Sequence, residues 1–346
     1  MLLVTGIPGW LGNRFIEILL YEDQHSWSRE FRLEKIRCLV LPGTRNAFTE
    51  KIAGKVELIE GDVTKKDSLA GFFKGSAGAT LFHFAGIIHP RRKVGEFYRV
   101  NAEGTYNILE MAREHLIKKV VVLSSNSQSG VNLGPEHSFT EDSPYNPYLN
   151  YGKSKMIMEK IVDKFFASYG LDCVTIRTCW FFGPHQPKRQ SRFFGLVKDG
   201  LFPLIGDGSN RRSLSYVDDV CQGLLLAAGS RVSSGKKYWI ASEKAYTMRE
   251  IIDTTREVME REFGFRVKPI RLRLPSLVGA AAYLADALIQ SIGFYQQEIH
   301  VLSEMNKSIA CSIDLAKNEL GYKPLVSLYD GIKKSIGWCL ENGQVI

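Results

Sequence analysis

The sequence lacks several features that would assign it to whole classes of protein. Its six cysteines form no C-x-x-C pair and no spacing typical of metal ligands, so we expect buried free thiols, a reducing compartment and no metal site. No nucleic-acid-binding motif accompanies the formal charge of +8, and we therefore expect scattered surface charge and no nucleic-acid partner. No targeting segment precedes the apolar run that starts at Leu2, which favours a cytoplasmic protein.

The sequence also lacks an apolar run long enough to span a bilayer. Its most apolar stretch, 274–292, holds no charge between Leu274 and Asp286 and follows the basic residues Arg271 and Arg273. Such a segment fits either a buried helix of a small domain or an interfacial helix that makes peripheral contact with a membrane. The sequence leaves both interpretations open.

The first dozen residues combine an apolar strand, a glycine turn and the start of an amphipathic helix. In such a unit one glycine permits the tight turn, a second lets the backbone approach a pyrophosphate, and a third lets the helix pack on the strand. The helix N-terminus then offers free N–H groups to the phosphates. The predicted dinucleotide-binding residues of this unit are Thr5, Gly6, Gly9, Trp10, Leu11 and Gly12.

Strands and helices alternate over the first half of the chain, which predicts an α/β protein with a Rossmann-like, doubly wound parallel sheet. The predicted strands cover 2–4, 36–41, 56–60, 81–86, 119–123 and 173–178, and the main helices cover 101–114 and 151–169. We expect a dinucleotide-binding domain over 1–180. A smaller C-terminal region, 181–346, would bind mainly substrate, with some of its segments returning to the Rossmann core.

The end of the second strand bears on the choice of cofactor. An acidic residue there would bind the 2′-hydroxyl of the adenosine ribose and select NAD. The sequence instead continues from Leu41 to Arg45 without an acid, and either Arg45 or Arg37 is suited to a 2′-phosphate. We therefore expect NADP or NAD, with a preference for NADP.

A tyrosine and a lysine four residues apart, Tyr151 and Lys155, are predicted to share one face of a helix. An ammonium beside a phenol stabilises the phenolate and lowers the pKa of the tyrosine. Such a tyrosine exchanges a proton with a substrate hydroxyl or carbonyl while a hydride moves to or from nicotinamide. The preceding strand ends in Ser124, Ser125, Asn126 and Ser127, so a serine hydroxyl is available to the reacting oxygen.

Together these pieces resemble the extended short-chain dehydrogenase/reductases, a group that includes NAD-dependent epimerases and dehydratases. The matching motifs extend over nearly the whole chain and are Thr5-Gly6-x-x-Gly9-x-x-Gly12, Gly61-Asp62-Val63, His83-Phe84-Ala85-Gly86, Val100-Asn101-x-x-Gly104-Thr105, Ser124-Ser125, Tyr151-x-x-x-Lys155, Phe182-Gly183-Pro184, Arg212 followed by Tyr216-Val217-Asp218-Asp219, and Leu320-Gly321-Tyr322. The resemblance implies that Tyr151 is the general acid/base, Lys155 its partner and Ser125 the donor to the substrate oxygen.

The resemblance also implies binding roles and a homodimer formed through a helix pair. For the cofactor, the implied residues beyond the glycine turn are Arg45, Asp62, Val63, Ala85, Gly86, Asn101, Tyr151 and Lys155. For the substrate, they are Ser125, Asn126, His185, Arg192 and Arg212, with Arg212 where nucleotide-sugar enzymes place a diphosphate-binding arginine.

Two departures from the family pattern narrow the reaction. Family dehydratases follow their serine or threonine with an Asp-Glu pair, whereas this chain has Asn126 and Ser127, which do not titrate near pH 7. Dehydration is therefore disfavoured. The C-terminal Arg-Pro-x-Asp signature that completes the diphosphate site has no clear match either.

Three functional hypotheses follow. The first is an NAD(P)-dependent oxidoreductase or 4-epimerase acting on a nucleotide sugar, which Arg212 and the basic residues near it favour. The second is a 3-beta-hydroxysteroid-dehydrogenase-like enzyme or ketone reductase acting on a hydrophobic alcohol or ketone, which the apolar 274–292 segment favours. The third is a non-catalytic dinucleotide-binding protein, although the intact set of Ser125, Tyr151 and Lys155 argues against it.

Overall fold

A computed structural model describes residues 1–346. The strands are β1 (Leu2–Ile7), β2 (Ile36–Val40), β3 (Glu57–Glu60), β4 (Thr80–His83), β5 (Lys119–Leu123), β6 (Cys173–Thr178), β7 (Trp180–Phe182), β8 (Leu204–Ile205), β9 (Arg211–Arg212), β10 (Leu214–Tyr216), β11 (Lys237–Ile240), β12 (Tyr246–Thr247) and β13 (Arg273–Leu274).

The α-helices are α1 (Trp10–Tyr21), α2 (Ala47–Ile52), α3 (Ala70–Phe73), α4 (Gly95–Phe97), α5 (Gly104–Glu114), α6 (Leu149–Tyr169), α7 (Lys188–Lys198), α8 (Val217–Gly229), α9 (Met248–Phe263), α10 (Ser276–Ser291), α11 (Gln297–Glu304), α12 (Asp314–Leu320) and α13 (Leu328–Glu341). A π-helical turn, Tyr98–Glu103, joins α4 to α5, and two 3-10 turns cover Ser26–Phe31 and Lys66–Leu69.

The central sheet has seven parallel strands in the order β11-β6-β5-β4-β1-β2-β3, which confirms the predicted Rossmann-like sheet. The chain starts in the middle at β1, proceeds outward to β3, and then returns to the other side of β1 with β4. The strand order therefore reverses between β1 and β4, and in such sheets ligands bind beyond the carboxyl ends of the strands at the reversal.

Apolar side chains cover both faces of the sheet because alternate residues of each strand point to opposite sides. In β1, Val4 belongs to the cluster that also holds α1 and α8, and Leu3 belongs to the cluster on the other face, which includes α5 and α6. Both side chains are fully buried. This double burial explains why the strands read as continuous apolar runs in the sequence.

The sheet takes its seventh strand from beyond residue 180. Strand β11 pairs with β6, and α8 and α12 contribute to the apolar cluster that covers one face of the sheet. The rest of the C-terminal region forms three two-stranded sheets, β7/β10, β8/β13 and β9/β12, and a separate apolar cluster that joins α7, α9 and α13. The division of the chain into two domains near residue 180 stays a prediction.

The apolar 274–292 segment forms α10, but α10 is not a buried helix. Leu277, Leu284 and Leu288 are exposed at 76%, 69% and 67%, whereas the polar Asp286 and Gln290 are buried at 0% and 3%. The buried-helix interpretation is therefore wrong, because α10 turns its polar face inward and its leucines outward. None of the helices combines the length and the hydropathy needed to cross a bilayer.

Candidate active site

The glycine turn between β1 and α1 has no room for a side chain at Gly9 or at Gly12. A Cβ atom added to Gly9 would lie 2.7 Å from the Gly6 carbonyl oxygen, and one added to Gly12 would lie 2.5 Å from the same atom. Gly9 is also the N-cap of α1 and supplies no side-chain cap. The first intrahelical bond joins the Asn13 N–H to the Gly9 carbonyl, so the N–H groups before Asn13 remain available to an anion.

Thr5 supports this turn from below, because its side chain is buried and fully engaged. Its Oγ1 lies 2.8 Å from His83 Nδ1 and accepts hydrogen bonds from the N–H groups of Phe84 and Ala85, both at 3.1 Å. His83 continues the chain of contacts, with Nε2 2.9 Å from Thr105 Oγ1. These bonds tie the carboxyl ends of β1 and β4 together beneath the turn.

Asn101 fixes the loop that follows β4. Its Oδ1 accepts from the Ile87 N–H at 2.8 Å, and its Nδ2 donates to the Ile87 carbonyl and to Ser154 Oγ, both at 3.0 Å. Gly86 in this loop is closely approached by both side chains, since a Cβ there would lie 3.2 Å from Asn101 Oδ1 and 3.6 Å from Lys155 Nζ. The predicted cofactor residues Gly86, Asn101 and Lys155 are thus neighbours.

The predicted adenosine contacts lie at the carboxyl ends of β2 and β3. Asp62 Oδ1 accepts from the N–H and the hydroxyl of Thr64, both at 2.9 Å, which orders the loop that carries Val63. Arg45 is half-exposed, and its Nε donates to Glu60 Oε1 at 3.1 Å. Glu60 was not among the predicted site residues. Its carboxylate is paired with Arg45, the residue that was expected to face a 2′-phosphate.

Hydrogen bonding distinguishes the serines that end β5. Ser124 Oγ donates to the buried carboxylate of Glu159 at 2.6 Å, so its proton is already used in a hydrogen bond within the core. Ser125 has no such partner and lies 3.3 Å, oxygen to oxygen, from Ser127. The hydroxyl of Ser125 is therefore free to hydrogen-bond a reacting oxygen.

Tyr151 and Lys155 lie one turn apart on α6, as predicted, but the phenol has not become more acidic. Burial raises the pKa of Tyr151 to about 12, the nearby Ser125 hydroxyl opposes this shift, and the Glu304 carboxylate adds to it. Burial also lowers the pKa of Lys155 to about 8, against a smaller effect of Glu159. The ammonium donates to the Leu123 carbonyl at 3.1 Å. The expected lowering of the tyrosine pKa is therefore wrong for this state of the site, because desolvation dominates.

A cavity of about 560 Å³ opens where these side chains meet. Its walls include Ser125, Asn126, Tyr151 and Lys155 from the sheet side. From the C-terminal region they include Arg192 of α7, Arg212 of β9, and His300 and Glu304 of α11. The structure thus brings the predicted catalytic set and four of the five predicted substrate ligands to one cavity.

Arg212 is a cation held inside this wall. The residue is 8% exposed, one guanidinium nitrogen donates to the Glu304 carbonyl, and Nε is buried without a hydrogen-bond partner. A buried donor without a partner costs about 1–3 kcal/mol. Arg212 thus places a guanidinium with an unmatched donor in the wall of the cavity.

His185, the fifth predicted substrate ligand, does not line the cavity. Its Nε2 lies 2.8 Å from Glu17 Oε2, and its ring packs against Phe48 and Trp338. Glu17 of α1 and these two rings hold His185 outside the cavity. The predicted contact of His185 with substrate is therefore wrong.

Sequence reasoning missed Asp286, His300 and Glu304. A signal for the first was present, since Asp286 is the first charge in an otherwise apolar stretch and an acid there needs a partner. Nothing in the sequence indicated that the partner is His300, because the contact joins two helices across a loop.

The site fits a nicotinamide dinucleotide. The glycine turn and the uncapped start of α1 suit a pyrophosphate. Lys155 lies beside Gly86, and both line the cavity, where they would hold the nicotinamide end of the dinucleotide. The fold and the site together define a Rossmann-type, dinucleotide-dependent enzyme with a Ser-Tyr-Lys set.

The chain belongs to the NAD dependent epimerase/dehydratase family, whose family model matches residues 2–241. An uncharacterized protein, y4nL of Sinorhizobium fredii, is 43% identical over 99% of this chain and 96% of its own length. A putative UDP-glucose 4-epimerase of Methanocaldococcus jannaschii is 26% identical over 99% of this chain and 100% of its own. The crystal structure of DesIV, a dTDP-glucose 4,6-dehydratase from Streptomyces venezuelae with NAD bound, superimposes with a TM-score of 0.73 at 24% identity and covers 99% and 97% of the two chains.

Membership of this family identifies the protein as an enzyme and favours an NAD-dependent reaction over a non-catalytic dinucleotide-binding role.

Substitution of Gly9 tests the phosphate turn. We expect Gly9→Val to weaken dinucleotide binding at least about tenfold, or about 1.4 kcal/mol, because the new side chain meets the Gly6 carbonyl and crowds the pyrophosphate. Calorimetric titration with NAD measures the effect. Gly134→Val is the matched control, since that position is open and its backbone is unstrained. Equal affinities of both variants and the unmodified protein would contradict the assignment.

Proposed function

We propose that the protein transfers a hydride at a secondary alcohol or ketone carbon of a nucleotide sugar, as a 4-epimerase or a net oxidoreductase. The observation that carries the proposal is Arg212, a buried cation with an unpartnered Nε in the same cavity wall as Tyr151. A guanidinium in such a place suits a diphosphate. A hydrophobic alcohol or ketone would bring no anion to this guanidinium, whose neighbouring charge in the wall is the Glu304 carboxylate, so we prefer the nucleotide sugar.

Three side chains carry the chemistry at the reacting oxygen. Tyr151 exchanges a proton with the reacting oxygen: its phenol donates to a ketone oxygen, and its phenolate accepts the proton of an alcohol when the hydride leaves that carbon. Burial raises the pKa of Tyr151 and thus favours the phenol. Ser125 hydrogen-bonds the same oxygen, and Lys155 binds the nicotinamide ribose and stabilises the phenolate that remains. The bound nicotinamide supplies or accepts the hydride.

Two similar proteins support a nucleotide-sugar substrate, since one is named a putative UDP-glucose 4-epimerase and the other a dTDP-glucose 4,6-dehydratase. Between these reactions, the residues that follow Ser125 favour epimerisation or simple redox. Asn126 and Ser127 line the cavity but do not titrate near pH 7, so neither replaces the carboxylates with which family dehydratases eliminate water.

We infer that the cofactor is NAD in preference to NADP, which reverses the preference drawn from sequence. Arg45 is paired with Glu60 at the end of β3. A carboxylate near the adenosine ribose accepts a hydrogen bond from a 2′-hydroxyl and repels a 2′-phosphate.

A cytoplasmic location is supported by the six cysteines, all of which are free thiols.

Two exposed apolar surfaces suit contacts beyond the substrate. The first lies on the paired helices α5 and α6, where Tyr106, Ile157 and Phe166 are partly exposed, and it supports the expected homodimer. The second consists of the outer face of α10 and the residues just after it. We call it the leucine face, and its residues are Leu277, Leu284, Leu288, Ile292 and Phe294.

We infer that the leucine face contacts an anionic membrane surface. Exposed basic residues without ion pairs flank it at both ends, with Arg271 and Arg273 before α10 and Arg91, Arg92 and Lys93 beside Phe294. The bridge between Lys93 and Phe294 holds the second basic group next to the apolar face. Apolar residues bordered by cations are the pattern of interfacial helices.

Removal of one hydroxyl tests the role of Tyr151. We expect Tyr151→Phe to lower turnover about 10²- to 10⁴-fold, because a positioned proton donor contributes that much. Dinucleotide affinity should remain nearly unchanged. Tyr106→Phe, on the exposed face of α5, serves as the control. Unaltered turnover of Tyr151→Phe would remove this residue from the reaction.

Substitution of neighbouring arginines tests the diphosphate site. Arg212→Gln should weaken nucleotide-sugar binding about tenfold or more while NAD binding is retained, because the lost charge lies in the wall of the cavity. Thermal unfolding checks that losing the bond to the Glu304 carbonyl leaves the variant folded. Arg211→Gln is the matched control, since Arg211 is directed away from the cavity toward Pro135 and Glu136. If both variants bind a nucleotide sugar like the unmodified protein, Arg212 does not bind the diphosphate.

Vesicle co-sedimentation tests the leucine face. The protein should sediment with phosphatidylglycerol vesicles and not with phosphatidylcholine vesicles, and the binding should weaken as salt is added. Leu284→Glu with Leu288→Glu should abolish it, whereas Leu33→Glu, at a separate site exposed at 97%, should not. A change of oligomeric mass in the double variant, with no vesicle binding by the unmodified protein, would instead make this face a contact between copies.

A further inference from the structure

A buried acid–base pair joins α10 to α11. Asp286 is 0% exposed, and its Oδ2 lies 2.7 Å from Nδ1 of His300. Gln290 donates to the other carboxylate oxygen at 2.9 Å. An ionised carboxylate only accepts hydrogen bonds, so the proton of this contact lies on Nδ1. The second ring nitrogen of His300, Nε2, is therefore the basic one when the ring is neutral.

The pair belongs to the same cavity as the Ser-Tyr-Lys set. His300 and Glu304 line that cavity together with Ser125 and Tyr151, and Glu304 Oε1 lies 3.9 Å from His300 Nε2. Aromatic rings connect the two groups, since the Tyr295 ring packs against both His300 and Phe97, and Phe97 packs against Tyr151. A second set of proton-exchanging groups, from the C-terminal region, thus lines the same cavity.

We propose that His300, oriented by Asp286, removes and returns a proton at the sugar carbon next to a ketone. The inference rests on the proposed function, because it takes a keto form of a nucleotide sugar as its substrate. It extends that function to a second carbon and supplies the acid–base group that Asn126 and Ser127 do not provide.

The step balances without any oxidant or reductant. Nε2 of neutral His300 takes the proton as the C–H bond breaks, and the electron pair of that bond enters an enolate whose oxygen is hydrogen-bonded by Ser125 and Tyr151. The imidazolium then returns a proton to the same carbon, and the ketone is restored. Glu304 lies close enough to Nε2 to stabilise the imidazolium in between.

The ionisation of His300 depends on groups from every element packed against it. They are Asp286 of α10, Glu304 of α11, Tyr148 before α6, Tyr295 between α10 and α11, and His89, which is bonded to Tyr295. Burial alone would lower the pKa of His300, but the hydrogen bond with Asp286 and the charges of Glu304 and Asp286 raise it above its usual value. The neutral base therefore forms as pH rises through this raised pKa, and proton exchange should increase over the same range.

Deuterium exchange into a keto sugar tests the proposal. The NAD-loaded protein is incubated in D₂O with a UDP-6-deoxy-4-ketohexose, and NMR follows deuterium at the carbons on either side of the ketone. We expect exchange well above the buffer rate, and a loss of about a hundredfold or more in His300→Asn. Ser335→Ala, a buried change on α13 outside the cavity, should exchange normally.

The variant Asp286→Asn separates catalysis from packing. It keeps the shape of the side chain but removes the charge that raises the pKa of His300, so exchange should become slower and its rise should move to lower pH. A pair that only held α10 to α11 would instead lower exchange and hydride transfer together, with no shift of the pH profile. Thermal unfolding of each variant confirms that it is folded.

Two results would overturn the inference, and neither concerns the hydride step. One is exchange by the unmodified protein at no more than the buffer rate. The other is folded His300→Asn that exchanges like the unmodified protein. Absence of NAD binding and of any hydride transfer to nucleotide sugars would instead count against the proposed function.

Discussion

The buried carboxylate of Glu159 is the interaction on which the geometry of the site depends. It accepts hydrogen bonds from Ser124 at the end of β5, from Tyr145 in the loop before α6 and from Arg177 of β6, at 2.6, 2.9 and 2.7 Å. The carboxylate thereby fixes α6, which carries Tyr151, against the strand that carries the cavity serines. Loss of one partner of such a buried pair costs about 3–5 kcal/mol.

The positions of Tyr151, Lys155 and the three glycines could be predicted because each group is a local pattern. Gly6, Gly9 and Gly12 lie where β1 meets α1, and Tyr151 and Lys155 lie on one helical face, so sequence spacing determines their positions. The parallel sheet was also predictable, since strands buried on both faces read as apolar runs. The same logic failed for α10, because a helix with exposed leucines and a buried acid reverses the usual relation between hydropathy and burial.

Contacts between distant segments of the chain could not be predicted from the sequence. The bond between Asp286 and His300 spans 14 residues and a loop, and the pairing of Arg45 with Glu60 depends on the order of β2 and β3. His185 was assigned to substrate by its place in a motif, but Glu17 of α1 holds it elsewhere. Such errors share one cause, since electrostatic partners are chosen by tertiary packing rather than by spacing.

The cavity is lined by Tyr151 of α6 on one side and by the buried Arg212 of β9 on the other. A nucleotide sugar bound in this cavity would lie against bound NAD, so the two ligands should stabilise each other's binding. Calorimetric titration with NAD and NADP, repeated in the presence of UDP-, dTDP- and GDP-sugars, measures this coupling directly. The account predicts that NAD binds more tightly than NADP and that at least one nucleotide sugar strengthens its binding. NAD affinity that is indifferent to every nucleotide sugar would contradict the central claim.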